Sequence, residues 1–218
     1  MKHGAIFDMD GTLFDTERLY QDSWMALAEE FGQIPNPDFP KAVCGSSGTN
    51  MRNIIHTYYP EIDAERFMQC CIARVAQMVE TEVPYKPGVK EILSYLRDQG
   101  IKIAVASSNS HAQIEKNLRL AGIREYFDVI AGGDEVENSK PAPDIFLLAA
   151  ARLGCAPEEC YVFEDGTNGL RAGAAAGCTT IMIPDLTPPT EELRAICDGV
   201  YDSLLVARAA LEQASQQR

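Results

Sequence analysis

Five short apolar runs punctuate the chain, at residues 5–7, 102–106, 127–131, 160–163 and 179–183, and each is bounded by turn, small or charged residues. Runs of this length with such borders predict buried strands. Between them the apolar spacing lengthens to a helical period over 89–99, 110–121, 144–153, 168–176 and 203–214. Gly100, Gly122, Gly154 and Gly177 stop the first four of these helices. Residues 216–218, Gln-Gln-Arg, read as a frayed end. Strands alternating with helices predict an α/β fold: a doubly wound parallel sheet with helices on both faces and right-handed crossovers.

One stretch breaks the alternation. From Leu19 the apolar positions Leu19, Tyr20, Trp24, Leu27, Ala28 and Phe31 follow a helical period, with Asp15 or Thr16 as cap and Gly32 as stop. Pro35, Pro37 and Pro40 break the segment that follows. Helical patterns return over 51–58 and 63–82, with no strand pattern between. The Pro-rich link at 84–88 then restores the alternation. This reads as a core domain of 1–15 and 85–218 interrupted by a helical insert at 16–84.

Composition alters this picture little. At 218 residues, 46% hydrophobic and 23% charged, the chain is long enough for a core domain and a small insert. No apolar run approaches membrane-spanning length, and no apolar stretch of signal-peptide type follows Lys2. Seven scattered cysteines, an odd number with no Cys-x-x-Cys, favour reduced thiols in the cytoplasm over a disulfide frame or zinc site. A net charge of −13 argues against nucleic acid and anionic membrane surfaces as partners. The same charge opposes an anionic substrate only in part, because a dication and one placed lysine reverse the potential of a single cleft.

The candidate chemistry lies at the strand ends, where open α/β sheets bind ligands. Asp8 and Asp10 follow the first strand, two residues apart, and extended backbone would put both on one face. Carboxylates that close repel unless a cation or shared proton separates them, and Mg²⁺ is the simplest such cation. Ser107, Ser108 and Asn109 end the second run and precede a helix, a setting for phosphate at a helix N-terminus or for plain N-capping. Asn109 reads either as the cap or as a second phosphate contact. Lys140 is stiffened by Pro141 and Pro143; it is a fixed ammonium at the site or a solvated surface lysine. Glu164 and Asp165 close the fourth run and again suggest a hard metal.

Phe7-Asp8-Met9-Asp10-Gly11-Thr12 resembles the first signature of the haloacid dehalogenase-like hydrolase superfamily. Three further segments resemble its other signatures in order: Ser107 after its apolar run, Lys140 in Ser-Lys-Pro-Ala-Pro-Asp, and Phe163-Glu164-Asp165 with Gly169 and Ala174-Ala175-Ala176-Gly177 following. The resemblance covers nearly the whole chain and points to subfamily I. It implies a Rossmann-like core with an inserted helical cap that closes over the site. It implies Asp8 as a nucleophile forming an aspartyl-phosphate and Asp10 as general acid and base. It adds the Asp10 carbonyl to a Mg²⁺ site shared with Asp8, Asp165 and Glu164, the last directly or through water. Lys140 and Ser107 would hold the phosphoryl group. One departure stands out: the family commonly has Ser after this Asp, and here it is Gly166.

Other departures bear on the substrate. The dehalogenase branch lacks the second acid, which Asp10 supplies here. The phosphonate-cleaving branch uses a cap lysine, and the insert offers only Lys41, with Lys86 beyond it. The β-phosphoglucomutase branch has His where this chain has Tyr20, and an Arg soon after a cap glycine. Here the segment is Gly45-Ser46-Ser47-Gly48-Thr49-Asn50, with no Arg before Arg52. Hydrolysis of a small sugar or polyol phosphate by a monomeric enzyme is therefore expected. Mutase activity is the alternative, and a non-catalytic phosphate-binding module the third reading. Tyr20, Gly45, Ser46, Ser47 and Arg52 are the candidate substrate contacts in the insert, where the Gly/Ser stretch reads equally as a plain turn.

Overall fold

A computed structural model describes residues 2–43, 48–79 and 83–216. They form two compact units, Met1–Asp15 with Pro84–Arg218, and Thr16–Val83.

The first unit is built on a six-stranded parallel sheet: β1 (Gly4–Phe7), β2 (Lys102–Ser107), β3 (Val129–Gly132), β4 (Cys160–Glu164), β5 (Thr179–Met182) and β6 (Gly199–Val200), in the order β3-β2-β1-β4-β5-β6. The apolar runs become the sheet's centre because both of its faces are covered. Ile6, Ala104, Ala106 and Val162 pack in one buried cluster with Ile145, Phe146 and Ala149 of α7 (Asp144–Leu153) and Ala172 of α8 (Thr167–Ala175). The intervening residues Ala5, Phe7, Ile103, Val105 and Phe163 are also fully buried. Phe7 and Phe163, paired across β1 and β4, stack with ring centroids 4.5 Å apart. Burying one such side chain contributes about 1.5–3 kcal/mol. The remaining helices of this unit are α5 (Val89–Asp98), α6 (His111–Leu120), α9 (Glu191–Ile196) and α10 (Leu204–Gln216). Of these, α5 packs on β2 and on α10, and α6 packs on β3.

The register aligns the loaded strand ends. Phe7 pairs with Val105 on one side and Phe163 on the other. Asp8 is the next residue, its amide bonded to the Phe163 carbonyl at 2.9 Å. It therefore stands between the last residues of β2 and β4.

The second unit holds α1 (Thr16–Glu30), α2 (Phe39–Val43), α3 (Gly48–Tyr58) and α4 (Ala64–Val79). Trp24, Phe39, Tyr59 and Phe67 form its buried aromatic centre. The Phe67 ring lies 5.3 Å from Trp24 and 5.9 Å from Tyr59. The Tyr59 hydroxyl accepts the Asn36 amide at 2.9 Å.

Several expectations need correction. The prolines of 35–40 do not exclude a helix: Pro40 is the second residue of α2, where a missing N–H costs no intrahelical bond. The third strand starts at Val129, two residues later than expected, because Arg124–Tyr126 forms a 3₁₀ turn closed by the Phe127 amide on the Arg124 carbonyl. The fourth insert helix is described from Ala64 to Val79, and residues 80–82 of the expected span lie outside the described residues. Of the expected frayed end, Gln216 belongs to α10, and Gln217 and Arg218 lie outside the described residues. Two elements had no sequence reading, α9 and the two-residue β6. Both are too short to show a period.

Candidate active site

Four segments of the first unit, far apart in sequence, meet in a cleft of about 390 Å³ lined by Asp8, Asp10, Ser107, Lys140, Glu164 and Asp165 among others. Lys140 is its hub. Its ammonium lies 2.5 Å from Asp8 Oδ1, 2.8 Å from Glu164 Oε1 and 3.3 Å from the Ala106 carbonyl. Three acceptors use all three donors of the group. All three charged side chains are almost fully buried. The lysine precedes a cis Lys140–Pro141 peptide.

Glu164 is held at both oxygens. Oε1 faces Lys140, and Oε2 accepts the Gly166 amide at 2.7 Å, at the first turn of α8. The carboxylate lies against Gly169. A Cβ there would come within 1.5 Å of Glu164 Oε1. Asp165 points the other way, accepting the Thr12 hydroxyl at 3.3 Å and lying against Gly11. Asp8, Glu164 and Asp165 each offer a carboxylate oxygen within 4.8 Å of the others.

Charge in this group is unbalanced. Burial pushes the Asp8 carboxyl well up; Lys140 opposes, and Glu164 and Asp165 add to the rise. Burial followed by Glu164 and Asp185 pushes Asp165 up to about 7. Burial acts to lower the Lys140 pKa, but Asp8 and Glu164 outweigh it and hold the ammonium above its ordinary range. Two buried carboxylates and a half-buried third beside one ammonium suit a further cation. Hard dications with oxygen ligands match that donor set.

Asp10 lines the same cleft but has different partners. The chain turns directly after β1, with the Leu13 and Phe14 amides both on the Met9 carbonyl. The Asp10 carboxylate accepts from Asn109 Nδ2 at 2.6 Å. Ser107, the last residue of β2, receives both the amide and the carboxamide of Asn109 on its hydroxyl, each at 3.2 Å. Ser110 caps α6 by accepting the Gln113 amide. The helix cap is thus Ser110, and Asn109 is not it.

The expected insert residues divide. Gly45, Ser46 and Ser47 lie outside the described residues. Tyr20 packs against the aromatic core of the second unit. The Arg52 guanidinium is engaged by Glu65 at 3.0 Å and Thr49 at 2.9 Å. Sequence reasoning gave no role to Thr12, Thr167 or Asn168, which touch Asp165 or line the cleft. It quoted Gly169 without the reason for it. Nothing in the spacing marks these positions, since their partners are fixed only by the fold.

A parallel α/β sheet with a lysine-bridged carboxylate cluster at its carboxyl edge marks the chain as an α/β protein with a ligand site of the kind such sheets carry. The chain belongs to the haloacid dehalogenase-like hydrolase family, whose sequence model matches residues 5–183. It is 34% identical over 178 residues to a phosphorylated carbohydrates phosphatase of Thermotoga maritima, covering 81% of this chain and 82% of that one. It is 30% identical over 187 residues to hexitol phosphatase B of Escherichia coli K12, covering 83% and 82%. Among solved structures it is similar to a haloacid dehalogenase family hydrolase of Deinococcus radiodurans R1 with bound phosphate and sodium, with a TM-score of 0.84, 26% identity and coverage of 98% and 96%. Among the described residues, no helix is long and apolar enough to cross a membrane.

Proposed function

We propose that the protein is a Mg²⁺-dependent phosphatase that hydrolyses a small sugar or polyol phosphate through an aspartyl-phosphate on Asp8. The observation that carries this reading is the Lys140 ammonium bridging Asp8 and Glu164 beside Asp165. The names of the relatives, a phosphorylated carbohydrates phosphatase and a hexitol phosphatase, support the substrate class.

In this reading Asp8 attacks phosphorus, the bond from phosphorus to the substrate oxygen breaks, and Asp10 gives that oxygen a proton. Asp10 then takes a proton from water as the water attacks phosphorus. The Asp8–phosphorus bond breaks, and inorganic phosphate leaves with Asp8 and Asp10 restored. Ser107 and Ser108, which line the cleft at the end of β2, would hold the phosphate together with Asn109. Lys140 offsets charge on Asp8 and the transferring group. Asp8, the Asp10 carbonyl, Glu164 and Asp165 would hold Mg²⁺, which when bound screens the repulsion between Asp8 and the phosphoryl oxygens. The second unit, Thr16–Val83, one residue shorter than the insert expected at 16–84, would serve as the cap, with Tyr20, Gly45, Ser46, Ser47 and Arg52 as candidate substrate contacts.

The test is phosphate release from a panel of hexose, pentose, polyol and nucleotide monophosphates, with Asp8→Asn alongside. Release from a few sugar or polyol phosphates is expected, absent in the variant and after chelation. No release from any ester refutes the proposal. Isomerisation of β-glucose 1-phosphate with a bisphosphate primer replaces it with the mutase reading.

A further inference from the structure

The hydrolysis proposed above, on which this inference rests, needs Asp10 to present its proton in one direction. Asp10 sits in a turn, and turn backbone alone does not hold a side chain in one orientation. Asn109 holds its carboxylate from the β2 side: Nδ2 donates to Asp10 Oδ2 at 2.6 Å and to Ser107 Oγ at 3.2 Å. Asn109 is itself secured from two further directions. Its amide donates to Ser107 Oγ at 3.2 Å, and its carbonyl accepts the Gly133 amide at 2.8 Å. The chain after β3 lies directly on this loop, since a Cβ at Gly133 would come within 2.4 Å of the Ser108 carbonyl. The β3 end thus holds Asn109, and Asn109 holds Asp10.

We propose that Asn109 is a positioning residue for the general acid, fixing Asp10 Oδ2 so that the carboxyl group meets the leaving oxygen in one orientation. A carboxamide suits this task because its NH₂ only donates and stays neutral. The alternative is that Asn109 serves only as a phosphate contact. The two differ in a measurable way. The phosphoryl group is common to every substrate, so losing a phosphate contact slows all esters alike. Losing the alignment of an acid slows only esters whose leaving oxygen needs a proton. An alkyl alkoxide needs one, whereas p-nitrophenolate departs as the anion.

The experiment compares kcat/KM for p-nitrophenyl phosphate with that for a sugar or polyol phosphate that the parent turns over. This ratio stops at release of the first alcohol, so the later attack of water does not enter it. Asn109→Ala is expected to lower the value for the alkyl ester about 10–100-fold more than that for the aryl ester, part of what a general acid supplies. Asn109→Leu keeps the volume without the donor, is expected to behave the same, and stands in if the alanine variant does not fold. Asp10→Asn should show the same selectivity, and adding Asn109→Ala to it should cost nothing more. Equal losses on both esters overturn the proposal in favour of a phosphate contact. Full activity on both overturns it outright. A parent that turns over neither ester fails the phosphatase reading itself, and the positioning role falls with it.

Discussion

Gly169→Ala sets two effects of opposite sign against each other. Gly169 is buried in α8, and replacing a helical glycine by alanine ordinarily stabilises by about 1 kcal/mol. In a chain of this size that would raise Tm by roughly 2–4 °C. The structure reverses the sign. The new methyl would lie 1.5 Å from Glu164 Oε1 and 1.9 Å from its Cδ, well inside contact distance. Glu164 ends a flexible side chain, but it is 3% exposed and cannot swing into water. To move, it must leave both Lys140 and the Gly166 amide. Hydrogen bonds to charged groups contribute about 1.5–3 kcal/mol each, so the net effect is a loss of about 2–5 kcal/mol. Displacing a carboxylate of the metal-suited cluster should also weaken Mg²⁺ binding about 10–100-fold. Thermal melting without metal and calorimetric titration with Mg²⁺ read the two effects separately. A variant that melts higher than the parent and binds Mg²⁺ equally well would falsify the packing argument.

Two further predictions concern other parts of the molecule. The Glu135 carboxylate is drawn down to about 2, first by Arg152 and then by the Gly132 amide and His111. Its contribution is therefore complete above the ordinary value of 4.5 and is lost as pH falls toward about 2. Glu135→Gln should be less stable than the parent at neutral pH by about 1 kcal/mol, after discounting for partial exposure. The gap should close across that window in urea titrations, and a gap constant with pH sinks the assignment. In the second unit, Phe67→Ala removes a fully buried ring that meets Trp24 at a tilt and Phe31 and Tyr59 edge to face. It should destabilise by about 3–5 kcal/mol in denaturant titrations. A loss below about 1 kcal/mol contradicts the packing described.

Asp144–Leu153 was readable to the residue, since Pro143 and Gly154 mark both ends and an apolar face lies between. The central strands were nearly as plain, because full burial on two faces leaves uninterrupted apolar runs. Asp8, Ser107, Glu164 and Asp165 could be placed together from their strand ends, and Lys140, eight residues beyond β3, with the help of the resemblance. Their partnerships could not. Asn109 and Asp10 are 99 residues apart, and no local pattern connects a carboxamide to a carboxylate over that span. The same holds for Gly169, whose lack of a side chain matters only because Glu164 folds back over it. The short α2 was hidden by prolines that read as breaks, and α9 escaped because six residues hold too little periodicity to read.

The chain leaves the first unit at Asp15 and re-enters it at Pro84, and these two ends are stitched together. The Asp15 amide bonds the Pro84 carbonyl at 2.8 Å, the Lys86 amide bonds the Leu13 carbonyl at 2.9 Å, and Phe14 bridges Tyr85 in antiparallel fashion. Lys86 then ties Asp15 to Asp185 beyond β5. Exit and entrance are thus one closed seam that the core maintains with its own residues. Whatever lies between can be lengthened, shortened or exchanged as a cassette in evolution without disturbing the register that aligns Asp8 with Glu164. The carboxylate cleft and the inserted helices are then free to diverge at different rates.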